Sequence, residues 1–428
     1  MAAETPQFMP VPEGMSEITD IPKDGGIVAL TDGALMLAHG GGEKGGGQRA
    51  LARRSDDGGL SWGEPYELDC QVPAMGMIRL QSGALGVYGR RRDAPEGGHE
   101  YYFTSSADEG QTWTPPALIS DYPDFIPMFH SLIQLRSGRL LLTGYWEGLG
   151  TAHADTHRHA STGWGLWKGL VLFCEGHRAI EMGICACYLS DDEGRTWQRA
   201  ASGIIGGFDR HGEPSGDDGI VDLYEPTCAE TTDGRVLMIA RSKTGRLAEA
   251  FSLDGGDNWL SALPTELASS QSPAVVVSLP RTGDLLILWN QVSGAEIRHG
   301  FLRGRLSCAL SRDSGRTWGH FRTLELQEGM ESVKRIQPEL PIPRRIVGQS
   351  GLGQLPDGFA MFTYPNVDVA GDRVFIRYSR MWPVPVEEGA GARDPGMPTM
   401  WPDYEEREAT MTGVSVTRIC STDFFYEG

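Results

Sequence analysis

The pattern Ser-x-Asp-x-Gly-x-x-Trp occurs five times in this chain of 428 residues, at Ser55–Trp62, Ser106–Trp113, Ser190–Trp197, Ser252–Trp259 and Ser311–Trp318. The intervals between copies are 51, 84, 62 and 59 residues. Four fixed positions recurring at such spacing mark a repeated supersecondary unit, which constrains a fold more than any single motif does. A second repeat interleaves with the first: ALTDGALML, RLQSGALGV, QLRSGRLLL, ETTDGRVLM, LPRTGDLLI and QLPDGFAMF. Each reads as a β-hairpin whose small-residue turn places Gly where positive φ is needed. After each of the first five, the next hairpin carries the Ser-Asp-Gly-Trp turn. After the sixth, RVFIRYSRMW occupies that place without Asp or Gly. Six units of about four strands predict an all-β, six-bladed β-propeller of antiparallel blades. A two-sheet sandwich does not predict six units of the same layout.

This reading divides the chain into an N-terminal tail (1–15) and a single propeller (16–428). Blade three carries an insertion at about 146–182, and an acidic, Pro/Gly-punctuated excursion covers about 384–409. Segments near the two ends, Met1 to about Met15 and Thr410 to Phe425, are expected to close the ring. The 57 glycines and 26 prolines are spread along the chain as turn punctuation. A net charge of −19 argues against a nucleic-acid partner, which needs a concentrated cationic surface. No apolar run approaches the ~18 residues of a membrane-spanning helix, so no membrane partner is expected. The start of the chain lacks a basic stretch followed by an apolar one, and the seven scattered cysteines contain no CxxC pair. They read as buried reduced thiols, and a cytoplasmic location follows as an expectation. No cofactor is expected, and the oligomeric state is left open.

Five such turns in a six-bladed array resemble the Asp-box (BNR) repeats of the sialidase, or neuraminidase, superfamily, over nearly the whole chain. In that family the boxes lie on the outer rim, away from substrate. The residue chemistry agrees: a short acid caps its own turn while Trp buries against the blade. Asp57, Asp108, Asp192, Asp254 and Asp313 are therefore read as structural.

Chemistry is expected where the innermost strands open into the central funnel. Residues seven to nine before each small-residue turn should ring it: Lys23 or Asp24, Met75, His130, Glu225, Gln271 or Ser272, and Gln349. In blade four, Glu225 starts one strand and Arg241 ends the next, so the two return to one end of the blade. This stretch is similar to a sialidase block. The resemblance implies that Glu225 polarises the nucleophile, and that Arg241 and, farther on, Arg305 hold a substrate carboxylate. Guanidinium forks suit a planar carboxylate. The family pattern breaks in three places: Asp20 stands where its first arginine precedes Ile-Pro, the loop after the first hairpin offers only Glu43 for its aspartate, and Gln349 stands where its tyrosine nucleophile is expected. Glu225 and Glu43 supply the two carboxyl groups that glycosidase chemistry asks for, with His130 as another proton-transfer group. Tyr364, Arg377, Lys23 and Trp146 complete the candidate substrate-binding set. Trp146, Trp164 and Trp167 in the insertion suit sugar stacking. His153, Asp155, His157 and His159 have metal-donor chemistry, but the tract also reads as a solvated loop and no metal is assigned. The expected function is an exo-acting glycoside hydrolase on a carboxylated sugar, not a standard sialidase. The alternatives are a lyase using His130 on a uronate and a glycan-binding propeller without catalysis.

Overall fold

The computed structural model of the chain describes residues 5–19, 21–41, 49–91, 100–120, 125–148, 158–178, 182–206, 223–343, 354–385 and 409–427. Six four-stranded antiparallel sheets form the ring. The strand β1 (Ser16–Ile18) belongs to the last of them. Blade one is β2 (Gly26–Ala29), β3 (Leu35–Gly41), β4 (Arg49–Ser55) and β5 (Tyr66–Leu68). Blade two is β6 (Gly76–Arg79), β7 (Leu85–Arg91), β8 (Glu100–Ser106) and β9 (Ala117–Ser120). Blade three takes β10 (Phe125–Gln134) and β11 (Leu140–Gly148). An inserted hairpin follows, β12 (Arg158–Trp167) with β13 (Leu170–Arg178), and then β14 (Met182–Ser190) and β15 (Gln198–Arg199) complete the blade. Blade four is β16 (Tyr224–Glu230), β17 (Val236–Arg241), β18 (Arg246–Ser252) and β19 (Leu263–Ala268). Blade five is β20 (Val275–Ser278), β21 (Leu285–Asn290), β22 (Arg305–Ser311) and β23 (Gly319–Leu326), with the short helix α1 (Gly294–His299) between β21 and β22.

Blade six departs from the expected phase. The segment QLPDGFAMF is not a hairpin within it: β24 (Gln354–Leu355) pairs in parallel with β12, outside the blade. The first strand of the blade is β25 (Met361–Ala370), which turns through Gly371 at φ 66° into β26 (Arg373–Pro385). RVFIRYSRMW is therefore the second strand, and β27 (Ala409–Ser421) is the third. The fourth is β1, brought from the other end of the chain, with Ser16 opposite Ile419. The connection from third to fourth strand, where every other blade carries its Asp box, is here the gap between the chain's two ends. Six blades therefore hold five boxes.

The first strands touch one another in sequence, β2, β6, β10, β16, β20, β25 and back to β2, and so line the channel. Period-two alternation fills the spaces between blades. On β17, Val236, Met238 and Ala240 join the core shared with blade three, while Leu237 and Ile239 join that shared with blade five. A blade sandwiched on both faces needs such near-continuous apolar strands. In the first Asp box, Asp57 Oδ1 accepts from Ser55 Oγ and the Ser61 amide, each at 2.9 Å, and Trp62 Nε1 donates to Gly59 O at 3.0 Å. Ser55 pairs with Leu35, at the start of β3. The box therefore lies at the end of the blade opposite that where β3 finishes.

Candidate functional site

Three channel strands are bent where they open onto the face opposite the Asp boxes. Register shifts fall between Pro127 and Leu132 in β10, Tyr224 and Thr227 in β16, and Thr363 and Asn366 in β25. Each bulge holds one non-glycine residue in left-handed backbone: His130 at φ 64°, Glu225 at 47° and Tyr364 at 53°. A bulge breaks the alternation and re-aims a side chain, at a conformational cost of about 1–3 kcal/mol per residue. A proline accompanies the opening of every channel strand: Pro22, Pro73, Pro127, Pro226, Pro273 and Pro365. Proline is tolerated there because an inner edge strand leaves amides unpaired.

Glu225 and Tyr364 meet in an open cavity together with Asp24, Met128, Thr227 and Asn366. Glu225 is only 6 % exposed. Its Oε2 accepts from Arg241 Nη1 at 2.7 Å, and its Oε1 accepts from the Tyr364 hydroxyl at 3.2 Å. Arg241 reaches it because Tyr224 and Arg241 are cross-strand partners, the return to one end of the blade that the 16-residue spacing predicts. The Tyr364 ring lies under the Arg303 guanidinium at 5.1 Å and the Lys23 ammonium at 5.7 Å. The negative charge of Glu225, then burial, raises the Tyr364 pKa, while Arg303 and Arg241 pull it down. Tyr364 is thus a neutral phenol already hydrogen-bonded to a base.

Arg377 sits beneath this cavity with its side chain fully buried. It donates to Pro22 O at 3.2 Å, Asp24 O at 2.9 Å, Gly25 O at 2.6 Å and Asp368 Oδ2 at 2.6 Å. Asn366 Nδ2 donates to Lys23 O at 3.0 Å. Arg377 and Asn366 therefore fix the backbone that carries Lys23 and Asp24 into the cavity. The Asp24 carboxylate is 43 % exposed and pairs with the Lys23 ammonium. His130 Nε2 lies 3.6 Å from Asp368 Oδ1, too far for a hydrogen bond. Burial lowers the His130 pKa to about 4; the Asp368 charge opposes this and Arg377 adds to it.

The remaining sequence candidates stand apart from this cluster. Arg305 is fully buried and donates to Gln291 O at 2.8 Å, Glu331 O at 2.7 Å and Glu296 Oε1 at 2.8 Å. Glu296 is the capping-box acid of α1, so Arg305 ties that helix to the blade. Arg303, two residues earlier, is the arginine beside Tyr364. Trp146 packs on Phe125 with centroids 5.4 Å apart, under the Arg199 guanidinium. Glu43, Gln349, His153, Asp155 and His157 lie outside the described residues, as do the side chains of His159 and Trp164. Among the described residues no group of three or more His, Cys, Asp or Glu converges as a metal site, and no helix is long and apolar enough to cross a membrane.

The sequence puts the blade-six ring position at Gln349 because Asp357-Gly358 imitates a hairpin turn. Counted from the true turn at Gly371, the position seven residues back is Tyr364. The signal that finds it is the proline series: Pro365 follows Tyr364 as Pro226 follows Glu225.

Fold and site together define a sialidase-like six-bladed propeller with a carboxylate, phenol and guanidinium cluster in its funnel. Residues 105–376 match the family model described as a BNR repeat-like domain, and the chain belongs to that family. No curated protein matches it. Among solved structures it is similar to a Dyadobacter fermentans protein of unknown function (15 % identity, 96 % of this chain and 100 % of that one, TM-score 0.52). It is also similar to the α-L-arabinofuranosidase Arb93A of Fusarium graminearum, solved with an iminosugar inhibitor (11 %, 97 % and 99 %, 0.52). The NanB sialidase of Streptococcus pneumoniae is a further neighbour (11 %, 97 % and 69 %, 0.47). At these identities the likeness is one of fold.

Proposed function

We propose that this protein is an exo-acting glycoside hydrolase on a terminal carboxylated sugar, working through Tyr364 as nucleophile. The observation that carries the reading is the hydrogen bond from the hydroxyl of the half-buried Tyr364 to the buried Glu225, set among Arg241, Arg303 and Lys23. A nucleophile held within hydrogen-bond reach of its base, with the base oriented by a third group, is the general arrangement for covalent catalysis. Glu225 takes the phenolic proton as Tyr364 oxygen attacks the anomeric carbon. The departing glycosidic oxygen takes a proton from Asp24, the second carboxyl group of the cavity, to which the paired Lys23 ammonium passes it. Water then attacks the anomeric carbon and breaks its bond to Tyr364, passing one proton through Asp24 back to Lys23 while the Tyr364 oxygen recovers its own from Glu225. A neutral phenol suits an anionic substrate better than a carboxylate nucleophile, since like charges a few ångströms apart repel. Arg241 and Arg303 carry the charge that attracts the sugar carboxylate. The α-L-arabinofuranosidase among the structural neighbours supports a sugar substrate.

The test is a screen of aryl glycosides of acidic sugars, followed by Tyr364→Phe and Glu225→Gln. Each variant is expected to lower kcat by about 10³-fold or more. A fluorinated sugar inactivator should add its mass to the peptide holding Tyr364. Full turnover by Tyr364→Phe, or a product absorbing as an unsaturated uronate, sinks the proposal, the latter in favour of elimination.

A further inference from the structure

The hairpin of β12 and β13 starts and ends in blade three but lands elsewhere. Its roots lie on the face of the funnel mouth, because Phe125 at the start of β10 pairs with Trp146, and Gly148 pairs with Met182. Its tip is built into the opposite side of the ring. Leu166 and Trp167 pair with Gln354 and Leu355 of β24, and β13 runs beside β27 of blade six. Trp167 is 5 % exposed and its Nε1 donates to Asp357 O at 2.8 Å. Around it lie Ile297 and Phe301 of blade five and Phe359 and Met361 of blade six. Blades three and six stand opposite each other in a ring of six, and strands of ten and nine residues reach about 30 Å. The direct path between these anchors passes over the channel.

We propose that this hairpin is a fixed strap across the funnel mouth and that it determines specificity. A terminal sugar unit can enter beneath it, whereas the internal stretch of a polymer cannot lie across the mouth. The selection of chain ends rests on the glycosidase reading above; the covering of the mouth does not. The anchor argues for a permanent strap over a moving lid, since opening it exposes a buried Trp and the apolar cluster around it.

Because Gly148 and Met182 face each other in the ladder, residues 149–181 can be replaced by Asn-Gly, leaving an ordinary two-residue hairpin. A reporter thiol is placed in the cavity by Met128→Cys, in a Cys174→Ser background, and a reference thiol by Ser82→Cys in an exposed turn. The labelling rate with a polyethylene-glycol maleimide is divided by that with iodoacetamide at each position. In the intact chain the ratio at position 128 is expected to fall below that at position 82 by about tenfold or more, the factor set by about 1.4 kcal/mol of opening. Removing the hairpin should bring the two ratios together, and Trp167→Ala should move them part of the way. Equal ratios in the intact chain overturn the strap, as does a low ratio at position 128 that survives both changes. If the shortened chain does not fold, an unchanged ratio in Trp167→Ala overturns it alone. Should the labelling behave as expected while Glu225→Gln retains full turnover, the catalytic reading fails and the strap stands.

Discussion

Left-handed backbone at His130, Glu225 and Tyr364 is a local cost that hydrogen bonding and burial in the ring hold in place, and strain of this kind gathers where side chains must be aimed. Of the three, His130 has a consequence for pH. Its imidazole is neutral in the folded protein down to about pH 4, while an unfolded histidine takes up a proton near pH 6.5. Between these values the unfolded chain binds more protons, so this group's contribution to stability is lost as pH falls from about 6.5 towards 4. His130→Gln should therefore lose less melting temperature than the native chain between pH 7 and pH 5; an equal loss in both would show that His130 is not held neutral. The same residue should give no limb near pH 6.5 in a pH–rate profile. Part of this site was legible in the sequence. The 16 residues from Glu225 to Arg241 follow from hairpin register, and His130 from its distance to Gly138. Arg303 was not legible, because Arg305 fits the same local pattern and only burial separates the arginine that anchors α1 from the one that faces Tyr364.

At the scale of the element, the Asp box is a turn that caps itself. The Ser61 hydroxyl and amide, and then Ser55, bond the Asp57 carboxylate and hold its pKa at about 2, below the ordinary 3.8. Asp108 is held at about 2 in the same way, by Thr112 and Ser106. A depressed carboxylate stabilises the fold fully above the unfolded pKa and loses that contribution as pH falls towards 2. Asp57→Ala should lower the melting temperature at pH 7 while leaving kcat unchanged, with the difference from the native chain narrowing at pH 3. A loss of turnover at unchanged stability would instead put the box near the chemistry. The boxes made five blades readable because their hydrogen bonds are local, needing only the spacing of Ser, Asp and Gly. Blade six was misphased for the converse reason. Its second strand carries no local mark, its third and fourth strands come from opposite ends of the chain, and Asp357-Gly358 has turn chemistry without a partner strand inside the blade.

For the whole molecule, closure depends on three residues of β1 pairing with β27, too few for backbone hydrogen bonds alone to hold a ring. Buried charge reinforces the join. Glu17 accepts from Arg380 Nη1 at 3.0 Å and lies 3.0 Å from Arg418 Nε, while Glu325 of blade five binds both guanidinium groups and the Tyr378 hydroxyl. Phe8 lies against Arg380, 4.5 Å from its guanidinium carbon, which places the N-terminal segment over the same cluster. Two acids and two arginines balance. Removing Glu17 leaves two largely buried cations facing one carboxylate, and breaking a buried pair in this way costs about 3–5 kcal/mol. Glu17→Ala should therefore destabilise the propeller by about that much, read from urea unfolding. Replacing both Glu17 and Arg380 by apolar residues should recover much of the loss, because the excess charge then leaves with its partner. A loss below about 1 kcal/mol in the single variant, the range of an exposed pair, would mean that strand pairing and the apolar core of blade six close the ring without the ion network. The sequence placed the closure at both ends of the chain, with the N-terminal segment at Met1 to about Met15 just short of the strand Ser16–Ile18 that pairs, and missed this lock, since Glu17 and Glu325 are 308 residues apart and nothing local marks them as neighbours.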